Sequence, residues 1–163
     1  MIESPAPLTA EHVLAEFDSG VASLDDWLRR RALQNQVSGA SRTFVVCDTG
    51  AVIAYYALAA SAVASDAAPG RFRRNMPDPI PVVVLARLAI AVTHQGRGLG
   101  RALFQDAANR VIHAAGTIGI RGLLVHAISE DAKAFYVRLG LAPSPHEPLA
   151  LMATVVDLKA AVT

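Results

Sequence analysis

The sequence predicts one compact α/β domain, and three observations point to it. Its 163 residues match the length of an ordinary domain, and 53% hydrophobic against 18% charged residues supplies enough apolar side chain for a sizeable core. Strand-like runs rich in Val, Ile, Phe and Tyr share the chain with stretches of helical pattern. Most informative, the apolar run Val82-Val83-Val84-Leu85-Ala86-Arg87-Leu88-Ala89-Ile90 leads into the turn Gln95-Gly96-Arg97-Gly98-Leu99-Gly100-Arg101 and then a helix. A strand, glycine turn and helix start form a cradle whose free backbone N–H groups can hold a phosphate or pyrophosphate.

Taken in order, residues 8–16 are expected to begin a helix. A second is expected from Leu24-Asp25-Asp26-Trp27-Leu28 onward, with Ser23 as N-cap and Asp26 three positions later in a box-like arrangement. It ends before Gly39, so that N-terminal helices occupy 8–38. Residues 41–48 and 51–59 read as a β-hairpin around Asp48-Thr49-Gly50. Residues 61–81 carry Pro69, Gly70, Pro77, Pro79 and Pro81 among Arg71, Arg73 and Arg74, a basic, proline-pinned loop with a short helical turn, long enough to suggest function. The strand 82–90 feeds the glycine turn, and a helix follows over 99–115, ended by Gly116 and Gly119. Residues 123–128 form a short strand; Ser129 caps a helix through Leu139, which Gly140 stops. The segment 143–159 reads as a proline-rich turn and a last strand over 149–158.

The net charge of +1 conceals a segregation. Residues 1–28 hold Glu3, Glu11, Glu16, Asp18, Asp25 and Asp26 and no Lys or Arg, whereas 29–110 hold eleven arginines against four acids, a formal +7. Either this is a solvated, arginine-rich surface or it faces a partner bearing several phosphates, which the planar guanidinium engages as a fork. Glu3 arrives too early for a leader, and no apolar run reaches the roughly 18 residues of a membrane span, so a cytoplasmic protein without a membrane partner is expected. Cys47, the single cysteine, rules out an internal disulfide and reads as a buried strand residue. His12, His94, His113, His126 and His146 show no metal-ligand spacing, so no metal is expected.

Several folds use a strand, glycine turn and helix. The P-loop ends in Lys-Ser or Lys-Thr, which this turn lacks, so nucleotide hydrolysis is disfavoured. Dinucleotide binding requires Gly-x-Gly-x-x-Gly near the chain's first strand; here the sixth position is Arg101 and the turn comes late.

The order of elements narrows the choice. Helices, a hairpin, a strand with Gln95-x-x-Gly98-x-Gly100, a helix, a strand, and a helix carrying Ala132-x-x-Phe135-Tyr136-x-x-x-Gly140-Leu141 together resemble the GCN5-related N-acetyltransferase (GNAT) family over residues 40–158. The resemblance implies a central mixed, mostly antiparallel twisted sheet flanked by helices, one domain over 1–163, and an acetyl-CoA-binding core at 82–140. It implies that Gln95, Gly96, Arg97, Gly98, Leu99, Gly100 and Arg101 hold the pyrophosphate of acetyl-CoA, and that Leu88, Ala89 and Ile90 line the pantetheine arm. Ser129 departs from the pattern: many acetyltransferases carry there an Asn that contacts the pantetheine.

One branch is closer. Phe17-Asp18-Ser19-Gly20 with Leu24 to Leu28, Gln36 to Thr43, Arg73-Arg74-Asn75-Met76-Pro77-Asp78-Pro79-Ile80-Pro81 and Leu85-Ala86-Arg87-Leu88-Ala89 look like the GNAT toxins of bacterial type II toxin–antitoxin modules, of the TacT/AtaT type. That resemblance implies acetylation of the α-amino group of an aminoacyl-tRNA, which blocks translation until a DNA-binding antitoxin of the ribbon-helix-helix type neutralises the enzyme. It also implies a homodimer. Arg29, Arg30, Arg73 and Arg74 then become candidate contacts to the RNA backbone.

Transfer of an acetyl group needs a polarised thioester carbonyl, a neutral amine and a proton for the departing thiolate. Backbone N–H groups at the end of strand 82–90 can stabilise the oxyanion. An aminoacyl ester lowers the pKa of its amine, so a strong general base is unnecessary. By spacing alone Phe135 and Tyr136 pack a helix onto the sheet; the resemblance makes Tyr136 the general acid and leaves Phe135 structural. Arg87, in an apolar strand, either pairs with a buried acid or points at the substrate's phosphate or ester. An acetyltransferase for protein or small-molecule amines, and a non-catalytic acetyl-CoA- or partner-binding module, are the competing readings.

Overall fold

Two consecutive left-handed residues set the first hairpin. Thr49 (φ 52°) and Gly50 (φ 87°) form a two-residue turn whose backbone twist matches that of the flanking strands. In the computed structural model, which describes residues 1–162, they join β2 (Arg42–Asp48) to β3 (Ala51–Val63), with a register shift between Val46 and Cys47. The outer side of β2 carries β1 (Ala6–Pro7), Ala6 facing Val45 and Pro7 facing Phe44.

This edge pairing replaces the helix expected over 8–16. The Leu8 N–H continues the pairing to the Thr43 carbonyl at 2.9 Å, and Leu8 and Phe17 are buried. Between them the Thr9 N–H donates to His12 Nδ1 at 3.0 Å and the Thr9 hydroxyl accepts from the Glu11 N–H at 3.3 Å, so local side chains satisfy these amides in a turn.

The first helical segment also starts differently from expectation. It runs through α1 (Ala22–Trp27), a π-helical turn (Leu28–Ala32) and α2 (Leu33–Ser38), and Gly39 (φ 83°) ends it as expected. Val21 occupies the N-cap and Ser23 lies inside the first turn. The polar work is done by Asp25, buried and accepting from the Ser19 N–H at 3.0 Å and the Ser19 hydroxyl at 2.6 Å, which ties the incoming loop to the helix. Leu24, Leu28 and Ala32, spaced four apart, form the buried stripe.

The remaining elements are α3 (Gly70–Arg73), β4 (Ile80–Ile90), α4 (Leu99–Ala115), β5 (Gly122–His126), α5 (Glu130–Arg138), β6 (Ala142–Pro143), β7 (Ala150–Thr154) and α6 (Val155–Val162). The sheet order is β1-β2-β3-β4-β5-β7-β6. β4 pairs parallel with β5, whereas β1–β2, β2–β3, β5–β7 and β6–β7 are antiparallel. The mixed, mostly antiparallel sheet is the one the family resemblance implies.

The expected loop over 61–81 is more ordered than read: β3 continues to Val63, a 3₁₀ turn covers Ser65–Ala67, and β4 opens at Ile80. The expected strand over 149–158 is a strand and a helix. Its switch is Thr154, whose hydroxyl accepts from the Asp157 N–H at 3.1 Å and caps α6. β5 begins at Gly122, where a Cβ would sit 2.0 Å from the Ala153 carbonyl oxygen, so only glycine fits.

Packing divides the described residues into two groups. The first comprises Met1–Ala59 with Ala86–Asp106, the second Ala60–Leu85 with the segment from Ala107 onward. In the first, the Tyr55 ring meets Phe17 edge-on (5.6 Å) and stacks on Trp27 (6.0 Å), its hydroxyl donating to the Leu24 carbonyl at 2.6 Å. Tyr56 stacks on Phe44 and donates to Asp106. In the second, Phe72 and Ala68 pack with Ile80, Val82, Leu124, Ala150 and Met152. Among the described residues no helix is long and apolar enough to cross a membrane.

Candidate active site

The glycine turn belongs to the first group. After β4 come the 3₁₀ turn Val92–His94, Gln95, and two left-handed glycines, Gly96 (φ 77°) and Gly98 (φ 81°). No atom lies within 4 Å of a Cβ built on either, so backbone conformation and not crowding demands glycine, and space stands open beside both. The Ala102 N–H bonds the Gly98 carbonyl at 3.2 Å, which leaves the amides of Leu99, Gly100 and Arg101 in the first turn of α4 without an intrahelical partner. Arg97 and Arg101 are exposed beside them. Free amides, the positive end of a 17-residue helix and two flanking guanidinium groups fit a pyrophosphate.

Gln95, though exposed, folds back onto the backbone. Its amide nitrogen donates to the Ser19 and Ile90 carbonyls, both at 2.8 Å, so that side chain staples the turn to the protein. The β4–β5 ladder covers Val83–Leu85 against Leu123–Val125, and β4 runs on to Ile90. Leu88, Ala89 and Ile90 therefore lie beyond its last pair, Ala89 buried and its neighbours half-buried.

Arg87 meets an aromatic face. Its guanidinium lies 5.1 Å above the Trp27 ring, Nη1 donates to the Ala86 carbonyl at 3.1 Å, and the buried Nε has no hydrogen-bond partner. Phe17, Tyr55, Trp27 and Arg87 thus form a column, and the buried acid expected as one alternative is replaced by indole. Burial raises the Tyr55 phenol far above its ordinary range, the Arg87 charge opposing and Asp25 adding to the shift. Trp27 is the residue sequence reasoning missed here: nothing local links positions 27 and 87.

Of the arginines on the first helical segment, Arg29 donates to the Phe17 carbonyl at 2.8 Å and to Asp26 at 3.3 Å, an anchor more than a free cation, while Arg30 is exposed. Cys47 is half-exposed; burial, with the Glu3 charge, raises its thiol, the opposite of an activated nucleophile.

In the second group, Ser129 caps α5, its hydroxyl accepting from the Ala132 N–H at 3.1 Å while Glu130 and Asp131 face the positive helix end. The hydroxyl hydrogen remains available to a ligand. Tyr136 is 7% exposed, its ring edge-on to Phe135 at 5.0 Å, and burial pushes its phenol up to about 12. Gly140 (φ 100°) closes the helix.

Arg73 and Arg74 are exposed at the end of α3. What holds α3 is Arg121, another residue not singled out from sequence: Nε donates to the Phe72 carbonyl and Nη2 to the Arg71 carbonyl, both at 2.8 Å, with the guanidinium 6.0 Å from the Phe72 ring. Arg71 pairs with Asp157 at 2.8 Å. Among the described residues no cluster of three or more His, Cys, Asp or Glu is placed to hold a metal.

Comparison with known proteins identifies this architecture. Residues 39–140 match the acetyltransferase (GNAT) domain. The tRNA-acetylating toxin of Mycobacterium tuberculosis is 49% identical over 159 residues, covering 98% of this chain and 96% of that protein. Among solved structures, AtaT complexed with acetyl-methionyl-tRNAfMet superposes with a TM-score of 0.91 at 30% identity over 100% of both chains. A tyrosine-to-phenylalanine variant of AtaT, bound to the C-terminus of the antitoxin AtaR and acetyl-CoA, does so at 0.84 and 29%, over 98% of this chain and 97% of that one. With the glycine cradle at the head of α4 inside the matched segment, the chain belongs to the GNAT acetyltransferase family.

Proposed function

We propose that this protein transfers the acetyl group of acetyl-CoA to the α-amino group of an aminoacyl-tRNA and so blocks translation as the toxin of a type II toxin–antitoxin module. The observation that carries the reading is the 49% identity, nearly end to end, to a tRNA-acetylating toxin. AtaT's acetyl-methionyl-tRNA complex, at essentially the same fold, supports the substrate class.

Acetyl-CoA, when bound, supplies an acetyl group activated as a thioester. The amides of Leu99, Gly100 and Arg101, with Gly96, Gly98, Arg97 and Arg101 around them, hold its pyrophosphate, Gln95 fixing the turn through the Ser19 and Ile90 carbonyls. Leu88, Ala89 and Ile90, beyond the β4–β5 ladder, present backbone groups to the pantetheine arm and an N–H to the carbonyl oxygen. Ser129 supplies a hydroxyl where many relatives use an amide. The amine is that of an aminoacyl ester, less basic than lysine, and sheds its proton to water. Tyr136 keeps its own proton at neutral pH, its phenol pushed up to about 12, and gives it to the departing sulfur. Phe135 packs beside it.

Arg30, Arg73 and Arg74 contact the RNA backbone, and Arg87, held flat by Trp27, faces substrate phosphate or ester. Replacing Arg73 and Arg74 together by Gln is expected to lower the slope of log affinity for tRNA against log salt by about one to two, with acetyl-CoA affinity unchanged. An unaltered slope in filter binding at several salt concentrations removes both from the RNA contact.

The reading extends to a single catalytic domain over the whole chain, a homodimer, a cytoplasmic site of action, and a DNA-binding antitoxin of the ribbon-helix-helix type. AtaT bound to the C-terminus of AtaR supports an antitoxin partner. The test is acetyl transfer from labelled acetyl-CoA to charged tRNA.

A further inference from the structure

Gly96 and Gly98 shape the cradle without stiffening it, because glycine loses more conformational freedom on ordering than any other residue. α4 fixes the far end. The near end depends on the turn Val92–His94 and Gln95, which is tied down from several sides. The Ala91 N–H donates to the Ile53 carbonyl and the Val92 N–H to the Asp18 carbonyl, both at 2.8 Å. Gln95 adds its staple to Ser19 and Ile90.

One more tether comes from the β2–β3 turn, through side chains outside the glycine motif. His94 Nε2 lies 2.8 Å from Asp48 Oδ2, and His94 Nδ1 lies 2.7 Å from the Thr93 hydroxyl. A carboxylate only accepts, so Nε2 carries hydrogen and donates to Asp48, while Nδ1 is engaged by the Thr93 hydroxyl. The side chains are 13% and 26% exposed, which sets this bridge apart from a fully wet surface pair. Asp48 also accepts from the Met1 amino group at 2.9 Å and the Thr49 hydroxyl at 3.1 Å. The His94 hydrogen bond, followed by these two, holds its carboxyl well below the usual carboxylate range, so the acceptor stays ionised near neutral pH.

We propose that the Asp48–His94 bridge is a positioning device for the acetyl donor, fixing the turn that enters the glycine cradle so that its amides converge before acetyl-CoA arrives. The inference rests on the cradle being the donor site and adds two residues that need not touch the donor.

The test compares the unaltered protein with His94→Ala, Asp48→Asn and His94→Gln, measuring acetyl-CoA Kd by calorimetry and KM and kcat on aminoacyl-tRNA. His94→Ala and Asp48→Asn are expected to raise Kd and KM for acetyl-CoA about tenfold with kcat within about twofold. Gln, whose amide nitrogen reaches the place of Nε2, is expected to recover affinity to within about threefold of the unaltered protein. A lower melting temperature with unchanged Kd, or a loss confined to kcat, overturns the proposal. Asp48→Asn keeps the shape of the side chain and carries the comparison if the alanine variant does not fold. An unaltered protein that binds no acetyl-CoA overturns the donor-site reading and this inference with it, whereas binding that is intact in every variant overturns this inference alone.

Discussion

Replacing Tyr136 with phenylalanine is expected to slow acetyl transfer at least about tenfold while leaving acetyl-CoA affinity unchanged, since positioned general acids contribute about 10²–10⁴ to rate. The substitution removes one oxygen from a side chain that is 7% exposed and keeps the ring against Phe135, and a denaturant melt of both proteins separates any loss of stability from the loss of rate. Its sign with pH is fixed by the same burial. A general acid works protonated, and a phenol pushed up to about 12 stays protonated throughout the neutral and mildly alkaline range. The rate should therefore rise with pH as the aminoacyl amine loses its proton, with no alkaline decline owed to Tyr136 below about pH 11. Stopped-flow or quenched transfer on both proteins over that range checks this. Equal turnover of the phenylalanine variant would remove Tyr136 from the chemistry.

Gly98→Val is expected to weaken acetyl-CoA binding about a hundredfold. A β-branched residue at φ 81° costs about 1–3 kcal/mol of backbone strain, and the chain relieves it by moving the amides proposed to hold the pyrophosphate. The side chain would also occupy space that is open beside Gly98. Gly39→Val separates strain from site: φ is 83° there, and a Cβ meets only Arg42 Nη2 at 3.8 Å. Both variants should lose similar stability in a denaturant melt, and only Gly98→Val should lose the donor in calorimetry. Equal donor affinity in the two would contradict the cradle's assignment.

These expectations draw on parts of the molecule that were unequally legible in the sequence. α4 and α5 were read at nearly their observed limits because their ends are written locally, in Gly98 before one and in Ser129 and Gly140 around the other. The hairpin followed from Thr49-Gly50 for the same reason. Where a non-local partner decides, local pattern misleads: residues 6–8 are extended because Phe44, Val45 and Thr43 lie beside them. Thr154 hides a helix cap inside an apolar run, and Gly122 is glycine because of Ala153, far along the chain. The candidate site divides in the same way. The glycine turn proposed as the phosphate cradle is contiguous, so its shape is legible locally, whereas Trp27 under Arg87, Asp48 on His94 and Arg121 under α3 join residues far apart in sequence. Tyr136 lies between: its helix is legible, and the acid role proposed for it rests on the family resemblance.

In the proposed reaction the acetyl group ends on the amine of an aminoacyl ester. The most direct measurement is to incubate the protein with labelled acetyl-CoA and total aminoacyl-tRNA, isolate the RNA, and treat it with mild base, which cleaves the ester and leaves an amide intact. Label on the RNA that mild base releases as N-acetyl amino acid, and none when the tRNA is uncharged, is the expected result. Label that stays on the RNA after base, or is found on protein or small amines alone, would contradict it.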